Sequence, residues 1–268
     1  MTPLSFQLYS ARNYPLADVL PMLARIGYRQ VEGFGGLGPT GGPDLPGGVY
    51  ADAAGLRARL DRLGLAMPTG HMELDLLARP DLALAAAKTL GLTTVVCPWL
   101  APDQRPSDAA GWLAFGEQLA ALARPFQAAG LTFAYHNHDF EFAPLPDGRF
   151  PIDLVLATAP DIAVEADIAW MFRCKADAFA WLQANGNRIV AIHIKDMASE
   201  GENLDEEGWA DVGYGILPWE RLMRTVRDHT RAGFFVLEHD DPSDISRFAE
   251  RSYAAVRQLG LPPRRKGL

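Results

Sequence analysis

The sequence predicts a single (β/α)8 barrel, and three observations point to that fold class. Eight short runs rich in β-branched and aromatic residues alternate with longer stretches of helical periodicity. The chain has 268 residues, close to the roughly 250 of a typical barrel of this kind. No linker or shift in composition divides it, so we expect one domain over residues 1–268, with a tail over 258–268. An open doubly wound sheet is the alternative, because periodicity alone does not close a sheet.

The first half of the chain contains four predicted strand and helix pairs. The strands are short apolar runs bounded by glycine, proline or polar turns, at residues 4–10, 28–33, 65–72 and 93–100. Each precedes a stretch with apolar residues three or four positions apart, which predicts helices at residues 14–26, 50–63, 79–90 and 108–129. Between the second strand and its helix, residues 33–48 hold eight glycines and three prolines, which predicts a long surface loop.

The second half repeats the same alternation. The predicted strands are residues 131–137, 161–167, 188–195 and 233–239, where Val, Ile and Phe run almost continuously. Such runs are typical of parallel strands whose two faces are both covered. Helical patterns follow the last three strands, and a short one at residues 152–158 follows the fifth.

Composition and charge exclude several classes of protein. Hydrophobic residues make up 49% of the chain and charged residues 22%, which indicates a folded globular protein. The net charge of −8 opposes binding to nucleic acid, and the basic cluster Arg264, Arg265 and Lys266 is typical of a solvated terminus. Neither a membrane span nor a secretory signal is recognisable, so we expect a cytoplasmic protein without a membrane partner.

Polar residues recur at the ends of the predicted strands, where the active site of such a barrel lies. Five of the six histidines fall at or near a strand end, and only His229 lies within a predicted helix. The strand-end residues are Gln7, Glu32, His71, Trp99, His136, His138, Asp167, His193, Glu238 and His239. Burying many imidazoles and carboxylates together is costly unless they are paired or bind a cation. The pattern favours a divalent metal such as Mn, Fe, Co or Zn over a purely hydrogen-bonded polar cluster.

Five segments carry a resemblance to a known family. They are FQLYSARN (6–13), YHNHDFEF (135–142), VEADIAW (164–170), AIHIKD (191–196) and VLEHDDP (236–242). Together they resemble the xylose isomerase-like TIM-barrel family of sugar phosphate isomerases/epimerases, to which inosose dehydratases and ketose 3-epimerases also belong. The resemblance extends over essentially the whole chain in order, and its motifs are more specific for the family than for a substrate.

The resemblance implies a metal site at the ends of strands five to eight. The family's aspartate on strand six matches Asp167, its histidine on strand seven matches His193, and its glutamate on strand eight matches Glu238. His136 stands where family epimerases carry a glutamate on strand five. This departure keeps a metal ligand but removes one of the two carboxylates that ketose epimerases use for proton transfer, so it favours a dehydratase.

Proton transfer and charge stabilisation have several candidates. Glu238 is one base, and His138, which resembles the base position of related dehydratases, is another because imidazole titrates near neutral pH. Glu141 is either a second acid–base group or an exposed loop residue. Lys195 is expected to stabilise an enolate oxygen, to hold a phosphate, or to form a rim salt bridge with Asp196.

Further residues are candidates for binding or orienting roles. Glu165 alternates with Asp167 along its strand and is expected to orient a metal ligand. Trp170 is expected either in the core or against a sugar ring. The candidate substrate contacts, each with a structural role as the alternative, are Gln7, Glu32, His71 and Trp99.

Two glycine patterns need separate interpretation. GFGGLG at residues 33–38 matches the GxGxxG pattern of dinucleotide-binding loops, in which a helix begins directly after the glycines. Pro39 and Gly41 follow here, so no helix begins and we expect no nicotinamide cofactor. The second pattern, VGYGILPW at residues 212–219, is expected to shape a loop over the barrel mouth.

These observations predict a metal-dependent enzyme acting on a small sugar, a sugar phosphate or an inositol-derived ketone. A base would remove the proton next to the carbonyl, and the bound metal would stabilise the enediolate charge. Return of the proton gives isomerisation or epimerisation, whereas loss of a β-hydroxyl gives dehydration. A non-catalytic sugar-binding barrel is a further alternative. The acidic chain argues against the related endonucleases of abasic DNA, and a homo-oligomer is left open.

Overall fold

The computed structural model describes residues 2–38 and 48–260, and it contains a closed barrel of eight parallel strands. Each strand pairs with its neighbours in the chain, and the eighth closes the ring against the first. The closed ring confirms the predicted (β/α)8 fold over the open sheet. The barrel strands are β1 Ser5–Gln7, β2 Gln30–Gly35, β3 Ala66–Met72, β4 Thr94–Cys97, β5 Thr132–His136, β6 Ala163–Asp167, β7 Ile189–Ile194 and β8 Phe234–Leu237.

Helices surround this barrel, and aspartates begin several of them. The side chains of Asp52, Asp108 and Asp244 accept hydrogen bonds from backbone N–H groups in the first turns of their helices. The α-helices are α1 Leu16–Ile26, α2 Ala53–Leu63, α3 Leu74–Leu77, α4 Pro80–Leu90, α5 Ala109–Ala128, α6 Pro151–Thr158, α7 Ile168–Arg173, α8 Ala178–Asn185, α9 Trp219–His229 and α10 Ile245–Leu259. Single 3-10 turns lie at Leu8–Ala11, Val49–Asp52, Pro102–Gln104, Phe140–Phe142 and Leu204–Glu206.

The first and fourth strands end well before their predicted ends. The first ends at Gln7, whose side chain accepts the N–H of Tyr9 and so begins a 3-10 turn. The fourth ends at Cys97, because Pro98 has no N–H to continue a ladder. Trp99 therefore lies in the loop after β4 rather than at a strand end, and its side chain is 38% exposed.

A short antiparallel hairpin, which the sequence analysis did not predict, follows β7. It pairs Asp196–Met197 with Trp209–Ala210. Its strands have two residues each, too few to show an alternating pattern.

The barrel interior has an apolar lower end and a polar upper end. Small and apolar side chains form a separate cluster below the polar layer: Val96, Ala134, Ala163, Val190, Ala191 and Phe234. Strand alternation then places His136 two residues beyond Ala134 and places Glu165 and Asp167 beyond Ala163. The carboxyl ends of the strands thus meet in a buried polar layer.

Two predicted features fall partly or wholly outside the described residues. Residues 39–47 of the glycine-rich loop and the tail from 261 onwards, with Arg264, Arg265 and Lys266, belong to this part of the chain. The ends of the loop meet where Gly35 bridges Gly48, whose φ of 73° suits glycine. Among the described residues, no helix combines the length and apolar character needed to cross a membrane.

Candidate metal centre and active site

Four side chains from neighbouring strands converge at the upper end of the barrel, and we call them the upper set. His136 and Asp167 are the last residues of β5 and β6, His193 lies near the end of β7, and Glu238 directly follows β8. Their potential ligand atoms all lie within 4.8 Å of one another, and all four residues are buried. These are the four residues that the family resemblance implied, and the structure brings them together.

The backbone and its neighbours fix the carboxylate of Asp167. Asn137 donates its side-chain amide to the carbonyl of Asp167 and accepts the Asp167 N–H, at 3.0 and 3.1 Å. The Oδ1 atom of Asp167 accepts the Trp170 N–H at 3.1 Å and so caps α7. The Oδ2 atom is buried and has no hydrogen-bond partner among the described residues. This free oxygen fits the requirements of a metal ligand.

The electrostatics of the upper set differ from residue to residue. Burial would lower the pKa of His193, but Glu165, Glu238 and Glu32 raise it well above its ordinary value. Burial and neighbouring His193 lower the pKa of His136 to about 3, so this imidazole stays neutral with a lone pair available. Burial raises the pKa of Asp167 to about 7. Burial alone would raise the pKa of Glu238, but Lys195 and His193 hold it well below its ordinary value. Two imidazoles and two carboxylates suit Zn, Mn, Co or Fe.

Lys195 is fully buried beside the upper set. Its Nζ lies 2.5 Å from Asp240 Oδ1, 3.5 Å from Glu238 Oε2 and 4.0 Å from Asp167 Oδ2. Burial would lower the pKa of Lys195, but these carboxylates outweigh it and raise the pKa, so the ammonium stays charged. The ammonium also lies 4.3 Å from the centre of the Trp209 ring.

Asp196 is not the partner of Lys195. Its carboxylate accepts backbone N–H groups from Met197, Gly213 and Leu217, at 2.9 to 3.1 Å. The predicted alternative of a Lys195–Asp196 salt bridge is therefore wrong, because the loop of residues 212–219 surrounds Asp196 instead. Gly215 allows this approach, since a Cβ there would lie 2.3 Å from Asp196 Oδ1.

A second set of polar side chains lies below the upper set, and we call Glu32, His71 and Glu165 the lower set. Glu165 Oε2 lies 2.5 Å from His71 Nε2, 3.2 Å from His136 Nδ1 and 3.1 Å from His193 Nε2. Glu32 Oε1 lies 2.7 Å from His193 Nε2 and 3.3 Å from His71 Nε2. Glu165 thus contacts two rings of the upper set, as expected of a residue that orients metal ligands.

Three residues that were predicted to contact the substrate belong to this interior network instead. Gln7 donates to Glu32 Oε1 at 2.8 Å, and its own oxygen accepts the Tyr9 N–H. Gln7 and Glu32 are fully buried, and His71 is 6% exposed. Their side chains bind one another and the upper set rather than open space.

His138 lies in an aromatic environment above His136. Its ring centre is 5.0 Å from His136, 5.4 Å from Trp170 and 6.4 Å from Trp99. Burial, His136 and Lys195 lower the pKa of His138, so its ring is neutral at neutral pH. The buried Nδ1 atom has no hydrogen-bond partner among the described residues. Trp99 and Trp170, both candidates for a sugar-facing wall, flank this ring.

Glu141 lies on the helix side of β5 instead of in the polar interior. Its carboxylate accepts the Tyr135 hydroxyl at 2.5 Å and the backbone N–H of His138 at 2.8 Å. Tyr135 packs edge-on against Phe115 of α5, which places Glu141 in the layer between barrel and helices. Glu141 is fully buried, so it is not an exposed loop residue, and burial raises its pKa to about 7.

Three residues show what sequence reasoning missed. Asp240, the partner of Lys195, follows Glu238 by two positions, and this alternation was an available signal. Trp209 lies on the hairpin that was not predicted, so nothing placed it near Lys195. His239 is at a strand end as expected, but it packs against Phe248 of α10, away from the upper set.

Comparisons with known proteins agree with the fold. A family model described as xylose isomerase-like TIM barrel matches residues 20–259. A search of curated proteins gives no match.

Solved structures with the same fold include proteins of related description. A sugar phosphate isomerase/epimerase from Parabacteroides distasonis is 20% identical, with a TM-score of 0.77 over 97% of this chain and 96% of that one. The IOLI protein with a bound zinc atom is 14% identical, with a TM-score of 0.75 over 96% and 97%. A probable 3-DHS dehydratase from Bacillus anthracis is 13% identical, with a TM-score of 0.72 over 95% and 98%. At these identities the likeness concerns the fold.

Proposed function

This chain belongs to the xylose isomerase-like TIM-barrel family, and on that premise we propose that it is a divalent-metal-dependent isomerase or epimerase of a small sugar or sugar phosphate. The observation that carries the proposal is the upper set, four buried ligands that converge within 4.8 Å at the catalytic end of the barrel. We further propose that the protein acts in the cytoplasm, without nucleic-acid or membrane partners.

The upper set would hold the metal through His136, Asp167, His193 and Glu238. A divalent cation bound there supplies a Lewis acid beside the substrate carbonyl. His193 presents its Nδ1 toward Glu238 and its Nε2 toward Glu32 and Glu165. With a metal bound, His193 would keep its proton on Nε2, beside the carboxylates of Glu32 and Glu165, and would offer Nδ1 as the ligand.

Glu238 and His138 are the proposed proton-transfer residues. Glu238 is ionised, because its pKa is held low despite burial, so it is ready to accept the proton next to the carbonyl. The neutral His138 ring has an Nδ1 without a hydrogen-bond partner, which would accept a proton on the aromatic side of the site and then return it to the substrate. Glu141 positions His138 through its backbone N–H, and we propose that role for Glu141 in place of direct proton transfer.

Lys195 supplies a fixed positive charge. Its ammonium is buried and held by Asp240, so no reorganisation is needed when negative charge develops on a substrate oxygen. The same ammonium would attract a substrate phosphate, which is why both free and phosphorylated sugars belong among the substrates to be tested. Trp99 and Trp170 supply apolar surface for a sugar ring.

A dehydratase of the inosose type is the second candidate, and His136 favours it. With an imidazole at that position, Glu238 is the upper-set carboxylate left to pair with His138 in proton transfer. In this reaction Glu238 would take the proton next to the carbonyl, and His138 would protonate the departing hydroxyl after its neutral ring has taken up a proton from solvent.

Solvent proton exchange tests the proposal. The protein is reloaded with Mn, Co or Zn and incubated in deuterated water with ketoses, ketose phosphates and inosose-like ketones, followed by NMR. Deuterium next to the carbonyl is expected, with much slower exchange in Glu238→Gln and unchanged exchange in His229→Ala, an exposed histidine of α9. Exchange with loss of water identifies the dehydratase. Metal-loaded protein that binds a sugar without any exchange contradicts both enzymes and leaves a sugar-binding barrel.

A further inference from the structure

The guanidinium of Arg105 lies at the barrel mouth and is held on two sides. Arg105 belongs to the loop after β4, and its Nε donates to the carbonyl of Leu100 at 3.0 Å. Its Cζ lies 3.7 Å from the centre of the Phe140 ring and 5.7 Å from the centre of the Trp99 ring. Arg105 is partly buried. These contacts fix the position of the guanidinium before any ligand binds.

The two rings beside Arg105 both belong to the proposed site. Phe140 stacks on His138 with ring centres 5.8 Å apart, and Trp99 lies 6.4 Å from the same imidazole. His138 in turn lies 5.0 Å from His136 of the upper set. One aromatic ring therefore separates the guanidinium from a proposed proton-transfer residue. A substrate that lies on His138, with Trp99 as its wall, would extend toward Arg105.

The Nη end of this guanidinium has no partner in the described part of the chain. Neither Nη atom of Arg105 donates a hydrogen bond there, and no carboxylate oxygen lies within 4.0 Å of the side chain. The nearby carboxylate of Glu141 accepts the Tyr135 hydroxyl and the backbone N–H of His138 instead. The Nη N–H groups are thus left for a ligand, and their fork matches the oxygens of a carboxylate or a phosphate.

Three other cations near the mouth are already engaged. Three carboxylates lie within 4.0 Å of Lys195 Nζ, so an anionic group beside this ammonium would be repelled by them. Arg12 pairs with Asp241 at 3.5 Å. Arg173 donates to the carbonyl of Glu207 at 2.6 Å. Their charges are therefore less available to a substrate than that of the open guanidinium.

An anionic substrate needs such a cation because the charge around the site is negative. The chain has a net charge of −8, and the upper set contributes the buried carboxylates of Asp167 and Glu238. An unpaired guanidinium at the mouth offsets part of this repulsion and steers an anion toward the site.

We propose that Arg105 binds an anionic group of the substrate, a phosphate or a carboxylate, at the end remote from the reacting carbonyl. The proposal rests on the proposed function and narrows its substrate class to sugars that carry a negative charge. Lys195 then serves the oxygen on which charge develops, and Arg105 serves the group that is charged throughout. Arg105 binds the substrate and takes no part in proton transfer.

Kinetics with matched substrates tests the proposal. The metal-loaded protein and Arg105→Ala are compared by the NMR exchange assay on a ketose, on its phosphate and on its carboxylate derivative. With the charged ketose that the protein accepts best, KM is expected to rise about 10- to 100-fold while kcat changes little. KM for the uncharged ketose should stay within about twofold, and Arg105→Lys should recover part of the loss. The charged ketose that responds more strongly identifies the anion as phosphate or carboxylate.

Binding of simple anions tests the same site without any reaction. Inorganic phosphate and acetate are titrated into the metal-loaded protein and followed by tryptophan fluorescence, because Trp99 lies 5.7 Å from the guanidinium. Binding of at least one of the two anions is expected, with loss in Arg105→Ala and retention in Asp167→Asn. Arg224→Ala removes an exposed arginine of α9 and should leave both anion binding and KM unchanged. Circular dichroism checks that each variant is folded.

The outcomes separate this proposal from the proposed function. Exchange with charged and uncharged ketoses alike, with KM unaffected in Arg105→Ala, overturns the anion site and leaves the proposed function in place. Anion binding that depends on Arg105, without exchange on any ketose, supports the site and contradicts the proposed function. Anions that do not bind the unaltered protein overturn the site. Anions that are lost in Asp167→Asn but kept in Arg105→Ala also overturn it, because the upper set then holds them.

Discussion

The two ends of the barrel interior are built from the same strands but differ completely in chemistry. At the lower end Val96, Ala134, Ala163 and Phe234 pack as an apolar plug. Two to four residues further along the strands, carboxylates and imidazoles fill the same interior. Burial at the lower end stabilises the fold. Burial at the upper end is unfavourable until the charges are paired or bound, so that end is held in place by the rest of the barrel.

The largest expected difference between the ends concerns Glu238. Replacing it by glutamine removes an ionised base and a metal ligand while leaving the shape of the side chain, so we expect proton exchange to fall about 10³-fold or more. The free energy of unfolding of the metal-free protein is expected to fall as well, because Lys195 and His193 lose a buried partner. NMR exchange rates and urea denaturation check the two halves of this expectation. Exchange within tenfold of the unaltered protein would remove Glu238 from the chemistry.

Phe234 at the lower end is expected to affect stability alone. Phe234→Ala leaves a cavity in the plug, which costs about 3–5 kcal/mol in the free energy of unfolding. Metal stoichiometry, measured at a temperature where the variant stays folded, is expected to be unchanged. A variant that keeps its stability but loses metal would show that the two ends are not separate.

Glu141 adds a third position to the comparison of the two barrel ends, because this buried carboxylate lies between the barrel and its helices. Its pKa is raised from 4.5 to about 7, so the folded state binds its proton more tightly than the unfolded state does. This carboxyl therefore stabilises the fold fully below pH 4.5, and its contribution falls as the pH rises to about 7, by about 3 kcal/mol in all.

Denaturant unfolding from pH 4 to pH 8 checks this expectation in metal-free protein. The difference in stability between the unaltered protein and Glu141→Gln should fall across that window. A difference that is constant with pH, or that grows, would contradict the role of burial at this site.

The smallest expected effect belongs to the rim of the upper end. Trp99 is 38% exposed, so Trp99→Ala is expected to change the free energy of unfolding by less than about 1 kcal/mol. If its ring faces the substrate, KM rises about tenfold with little change in kcat. An unchanged KM with every accepted substrate would place Trp99 outside the site.

The fold and the upper set were predictable because both depend on local alternation. Parallel strands end at the same side of the barrel, so residues such as Asp167 and His193 meet once the strand ends are recognised. The same rule explains a failure, since His239 follows Glu238 by one position and therefore faces the helices. Glu238 and His239 are both at the end of β8, but they lie on opposite faces of that strand.

The remaining features depend on tertiary contacts. The position of Glu141 is set by the Tyr135 hydroxyl across a 3-10 turn, which no periodicity reveals. Backbone N–H groups of the loop at residues 212–219 donate to the carboxylate of Asp196. Asp196 is therefore not available to Lys195, although it is the next residue in the chain. Loops take such conformations from the surface against which they pack rather than from their own sequence pattern.

Metal binding by the protein and by Asp167→Asn, measured side by side, tests the central claim most directly. Untagged protein is stripped with a chelator, reloaded with Mn, Co or Zn, and analysed by mass spectrometry. The account predicts that the unaltered protein binds metal and that Asp167→Asn binds about one equivalent less, since the free Oδ2 is lost as a ligand. Folded protein that binds no metal, or a variant that binds as much as the unaltered protein, would contradict it.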